Sequence, residues 1–61
     1  MNMIETLVLE LHKKEGLKEL QARKVIIDAL EVGLTIEIAI HIYRTYGLNS
    51  LKNKIEQWRN K

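Results

Sequence analysis

The sequence predicts an all-α domain, a small bundle of about four short helices. Three observations lead there. Apolar residues recur at helical spacing along nearly the whole chain. Gly16, Gly33 and Gly47 punctuate it at intervals of about one helix. No two stretches alternate as partners for a sheet, and an isolated strand is not viable.

From Met3 to Glu15, Ile4, Leu7, Val8 and Leu11 fall at i, i+3, i+4 and i+7, one helical stripe. Glu10 precedes Lys14 by four residues, the supportive order for a pair on a helix surface. "KKEG" then ends the helix, with cations in the last turn and Gly16 able to take the left-handed conformation. From Lys18 to Val32 the pattern is wider. Gln21, Lys24, Asp28 and Glu31 form one narrow polar strip, while Leu20, Ala22, Val25, Ile26, Ile27, Ala29, Leu30 and Val32 cover most of the rest. A helix apolar over more than half its circumference is expected to touch neighbours on more than one side. This is the expected central helix, closed by Gly33.

The segment "LTIEIAIHIYRTYG", residues 34–47, invites two interpretations. Ile36, Ile38, Ile40 and Ile42 alternate with Glu37, Ala39, His41 and Tyr43, the mark of a strand. A strand would put Arg44 on the isoleucine face and leave Tyr43 outside. A helix gathers Glu37, His41, Arg44 and Thr45 in an arc of about 100° and leaves Ile36, Ile38, Ala39, Ile40, Ile42, Tyr43 and Tyr46 on the other side. Thr35 stands where an N-cap belongs and Gly47 where a helix ends. The helix fits better, against the weak helix propensity of β-branched residues. In "NSLKNKIEQWRNK", Asn49 and Ser50 are cap candidates. Leu51, Ile55 and Trp58 at i, i+4 and i+7 then make a short amphipathic helix.

The 61 residues include no cysteine and no proline, and they fit one domain spanning 1–61. A domain of this size buries only about 60% of its unfolded surface and has little stability in reserve. The absence of cysteine suits a reducing compartment. No apolar run approaches the roughly 18–20 residues that cross a bilayer, and the N-terminus mixes acids among its apolar residues with no basic leader region. A cytoplasmic protein without a membrane role is expected. The net charge of +2 is unevenly spread. Residues 1–43 carry five Lys/Arg against seven Asp/Glu, whereas 44–61 carry Arg44, Lys52, Lys54, Arg59 and Lys61 against Glu56 alone. Such a basic end suits nucleic acid or another acidic surface; a solvated tail is the simpler alternative.

Catalytic signatures are lacking. There is no nucleophile paired with a base, no glycine-rich phosphate loop with its lysine and no cysteine-based metal site, so neither enzyme activity nor a cofactor is expected of these residues. Glu37 and His41 lie one turn apart, but two ligands without a third suit an exposed polar face better than a metal. His12 is expected at the surface. Trp58, Tyr43 and Tyr46, at helical spacing among apolar residues, suit core anchors better than base-stacking platforms.

What remains is the helix–"EVGLT"–helix junction, residues 30–38. A glycine in a tight hairpin lets the backbone approach a partner, and the amides of Leu34, Thr35 and Ile36 would open the next helix at its positive end. That geometry suits a phosphate, as in helix-hairpin-helix modules; an ordinary turn between helices is the alternative. Residues 17–55, and above all "IYRTYG", resemble the helix-hairpin-helix segment of RecD-like DNA helicases, relatives of the exodeoxyribonuclease V alpha subunit. The matching residues are Leu30, Gly33, Leu34, Ala39, Ile42, Tyr43, Tyr46 and Gly47. The family's Asn-Pro-Tyr turn is replaced by "EQWRNK", and Thr35 stands where phosphate-binding hairpins carry a second glycine. The motor with its nucleotide-binding loop is absent from these residues. "VGLTIEIAIHIY…SLKNKIEQW" also resembles ubiquitin-associated-like three-helix domains, in which Val32 and Leu34 would flank Gly33 as an exposed apolar patch for a partner protein.

The resemblance to RecD-like helicases implies a helix-hairpin-helix-like core over about 17–55, preceded by a helix over about 3–15. Its implied role is a DNA-binding or scaffold module that contacts the backbone without sequence specificity. Gly33, Leu34 and Thr35 would present amides, and Arg44, Lys52 and Lys54 would supply charge near them. A parent helicase motor or another protein is the further partner it implies. The alternative class is a protein-interaction or dimerisation module with no DNA role, such as a small helical homodimer, suggested by small size and long apolar helices.

Overall fold

The computed structural model describes residues 2–61 as four helices: α1 (Met3–Glu15), α2 (Glu19–Glu31), α3 (Ile36–Tyr46) and α4 (Leu48–Arg59). No strand occurs among the described residues. The bundle is all-α, and the alternating isoleucines of residues 36–42 lie within α3.

Local chemistry starts and stops each helix. The Asn2 side chain accepts from the Glu5 amide at 2.8 Å and caps α1. Gly16, at φ +73°, ends it, and the Leu17 amide also turns back to the Leu11 carbonyl at 3.4 Å. At the start of α2 the Gln21 side chain accepts from the Lys18 amide at 3.0 Å. The end of α2 folds back through Gly33 at φ +105°: the Gly33 amide donates to Leu30 O at 3.1 Å and the Leu34 amide to Ala29 O at 3.0 Å. This pair of bonds is the Schellman closure of a helix C-terminus. Thr35 then caps α3, its Oγ1 accepting from the Ile38 amide at 3.1 Å. Gly47, at φ +101°, both receives the end of α3 and opens α4, donating to Tyr43 O at 2.9 Å and accepting from the Leu51 amide at 3.2 Å.

The core draws on every helix. Leu7, Val8 and Leu11 come from α1; Ala22, Ile26 and Ala29 from α2; Ala39, Ile40 and Tyr43 from α3; Leu51 and Ile55 from α4, with Leu34 between α2 and α3. Helix α2 packs against the other three, as a central helix should. Its buried face is built mainly of alanines, small enough for neighbouring helices to approach closely.

The wide apolar surface of α2 is nevertheless not all covered. Leu20 is 82% exposed, Ile27 53% and Leu30 40%. On α3, Ile38 and Tyr46 also face water, at 45% and 69%, although both fall on the apolar side of the helical wheel. Incomplete collapse is not the reason. The accessible surface of 4176 Å² is close to the roughly 4,100 Å² expected of a compact protein of this mass. Three partner helices cover only one side of α2, and its apolar arc is wider than the side they cover.

The two classes of leucine should separate in denaturant unfolding. Leu11→Ala opens a cavity in the core and should cost about 2–5 kcal/mol. Leu20→Ala should change stability by no more than about 0.5 kcal/mol. Equal losses from the two substitutions would contradict the burial described here.

Candidate nucleic-acid interface at the α2–α3 turn

The turn that was expected to offer three amides offers a different set. The Gly33 and Leu34 N–H groups are both engaged by carbonyls of α2. The Leu34 side chain is core, at 3% exposure. Neither residue therefore presents an amide to a ligand, because closing the end of α2 uses both. The amides of Thr35, Ile36 and Glu37 have no acceptor among the described residues, and they lie at the positive end of α3. Glu37 places a carboxylate in the same turn, which opposes an incoming anion.

The buried Leu34 also removes the apolar patch implied by the ubiquitin-associated-like resemblance, and Val32 is half-buried against the core. The flank of Gly33 is instead occupied by Trp58. A methyl group placed on Gly33 would lie 3.7 Å from ring atom Cζ3, an ordinary contact, so backbone conformation rather than space demands glycine there. Trp58 is the half-buried anchor that its spacing predicted. It also carries a cation beside the turn, since Lys61 Nζ stands 4.7 Å from the centre of its ring.

The three cations expected near the turn are not gathered there. Arg44 lies nine residues beyond Thr35 on α3, about 13 Å along the axis. Its guanidinium is held by Glu10 of α1, with Nε 3.2 Å from Oε1 and Nη2 2.5 Å from Oε2. This contact holds the Glu10 carboxyl below its usual range. Lys52 borders a groove between α2 and α4 with Val25, Asp28 and Arg59, on the far side of α4 from Trp58. Lys54 stands one turn before Trp58, on the side of α4 nearest the turn. Of the three, Lys54 alone shares a side with the hairpin. Lys61 joins it through the Trp58 ring, which the packing of Trp58 on Gly33, 25 residues away, brings to the turn.

Outside the turn, polar contacts serve the fold. Arg23 bridges Glu5 at 2.7 Å and Glu19 at 3.1 Å, tying α1 to α2. The Tyr43 hydroxyl donates to Glu15 Oε2 at 2.9 Å. His12 is exposed, and its Nδ1 lies 2.7 Å from Leu17 O in the α1–α2 turn. Glu37 and His41 are exposed, and no group of three metal-ligating side chains occurs among the described residues. Nor is any described helix long and apolar enough to cross a membrane.

By class, then, this is a four-helix all-α domain whose second and third helices form a hairpin around one glycine. No family model, curated protein or solved structure matches the chain.

Tyr43 supplies a pH test of this packing. Burial, then the hydrogen bond to the Glu15 carboxylate, pushes its hydroxyl from 10.0 up to about 12. Below pH 10 the stability linked to this group is complete. Between 10 and about 12 the unfolded chain releases the proton first, the folded state binds more protons, and stability falls as pH rises. In Tyr46→Phe, which leaves Tyr43 as the one tyrosine, absorbance should report a midpoint near 12. A midpoint near 10 would mean that the hydroxyl is not held as described.

Proposed function

We propose that this domain is a helix-hairpin-helix-like module that contacts the nucleic-acid backbone through the α2–α3 turn, as the resemblance to the RecD-like helicase segment implies. The observation that carries the proposal is the set of Thr35, Ile36 and Glu37 amides. They lack internal acceptors at the head of α3, beside the Trp58–Lys61 pair. A phosphate oxygen is the acceptor that such a helix end and a nearby ammonium together favour. The module makes no base-specific contact through the turn and performs no chemistry; it positions DNA or serves as a scaffold beside a motor.

Few cations and one opposing carboxylate imply weak binding, on the order of 10⁻⁴–10⁻⁶ M, that fades steeply with salt. A short DNA duplex titrated at low salt, with amide shifts recorded, should perturb Thr35, Ile36 and Glu37 and change the Trp58 fluorescence. Glu37→Gln should tighten binding. Saturating duplex with no shift at residues 35–37 would overturn this assignment.

A second reading has its own observation. Leu20, Ile27 and Leu30 lie in a line on α2, at i, i+7 and i+10, and all face water. Large apolar side chains in register along a helix suit association with a second copy of the chain. Self-association through α2 would make thermal stability rise with concentration, and Leu20→Lys would abolish that dependence.

A further inference from the structure

Helix α4 presents an outer face that neither folding nor the α2–α3 turn accounts for. Asn49, Asn53, Gln57 and Asn60 follow at i, i+4, i+8 and i+11, opposite the buried Leu51 and Ile55. All four are exposed. The side-chain hydrogen bonds of this region run from Ser50 to Tyr46 O and from Arg59 to Glu56, and none uses these carboxamides. Helix stability does not explain them either. Asparagine is a poor helix former, and α4 starts without a side-chain cap, so Asn49 is not there to cap it.

Lysines border this ladder on one side and a paired acid on the other. Lys54 borders it on the Trp58 side, and Lys61 lies over the Trp58 ring. The one acid from Leu48 to the C-terminus is Glu56, and Arg59 holds it at 2.6 Å. A carboxamide both donates and accepts, so a row of them beside lysines matches a surface that alternates phosphate oxygens with base edges. The ladder spans about 16 Å, the length of roughly five base pairs, and a helix of this width enters a major groove. Lys54 stands between the Gln57 edge of this face and Trp58, which lies on the inner side of α4 against Gly33 of the turn.

Resting on the turn as a nucleic-acid contact, we propose that the Asn49–Asn53–Gln57–Asn60 face of α4, with Lys54 and Lys61, is a second contact surface for the same duplex. The turn holds one phosphate while α4 lies along the groove.

Two double variants test this against a short DNA duplex. Asn53→Ala/Gln57→Ala removes two carboxamides without lowering helix propensity and should weaken binding roughly threefold or more. Lys54→Gln/Lys61→Gln should reduce the slope of log affinity against log salt by about two. Amide shifts on wild-type protein separate the two surfaces. If Thr35–Glu37 shift while α4 stays silent and both variants bind within about twofold of wild type, the α4 surface is overturned and the turn survives. Shifts along α4 without shifts at the turn would keep α4 as the contact and remove the turn. No shift on either element would overturn both.

Discussion

The fold and its candidate site both depend on how the chain leaves α2. One residue at φ +105° reverses the backbone, and two amides close onto Leu30 and Ala29. That reversal drops Leu34 into the core and sets Thr35 to cap α3. A side chain at Gly33 would meet the Trp58 ring without a clash, so the demand for glycine is conformational. The same closure determines which amides remain. It uses those nearest the glycine and leaves those one step on, where Glu37 partly opposes what the backbone invites.

Around this unit α1 acts as a fastener. Its three acids are all engaged by other helices: Glu5 by Arg23, Glu10 by Arg44 and Glu15 by the Tyr43 hydroxyl. Exposed ion pairs contribute little net stability, so the apolar stripe of Leu7, Val8 and Leu11 holds α1 in place. The polar contacts specify how it lies across α2 and α3. They also neutralise Arg44, so the positive character of the C-terminal third is carried outward by lysines on α4 rather than by α3.

Much of this was legible in the sequence because it is local. Thr35 and Gly47 bound α3 through capping, and the joint placement of Tyr43 and Arg44 chose helix over strand: Tyr43 is buried and Arg44 lies at the surface. Where sequence reasoning failed, it lacked tertiary information. Helical periodicity shows which residues share an arc but not whether a neighbour covers it, so Leu20, Ile27, Ile38 and Tyr46 looked like core and are not. Proximity along the chain made Arg44 look like a neighbour of the hairpin, although a rigid helix carries it about 13 Å away. Trp58 and Gly33 meet only because α4 folds back, and no spacing rule reports that contact.

The two proposed surfaces do not compete for space. The exposed line of Leu20, Ile27 and Leu30 sits roughly 140° around α2 from Val25 and Asp28, which face α4. A second copy docked on that line would leave α4 open, with its edge at Leu30 reaching the end of α2 where the turn begins. This matters because one copy offers few phosphate contacts, and each contact fades with salt. Joining two copies would turn the second contact into an intramolecular one and raise avidity without any new residue at the nucleic acid. Under that arrangement the uncovered leucines of α2 and the carboxamide face of α4 are parts of one design, a weak binder made effective by pairing. Leu20→Lys would then weaken duplex binding although Leu20 lies away from the proposed contact surface.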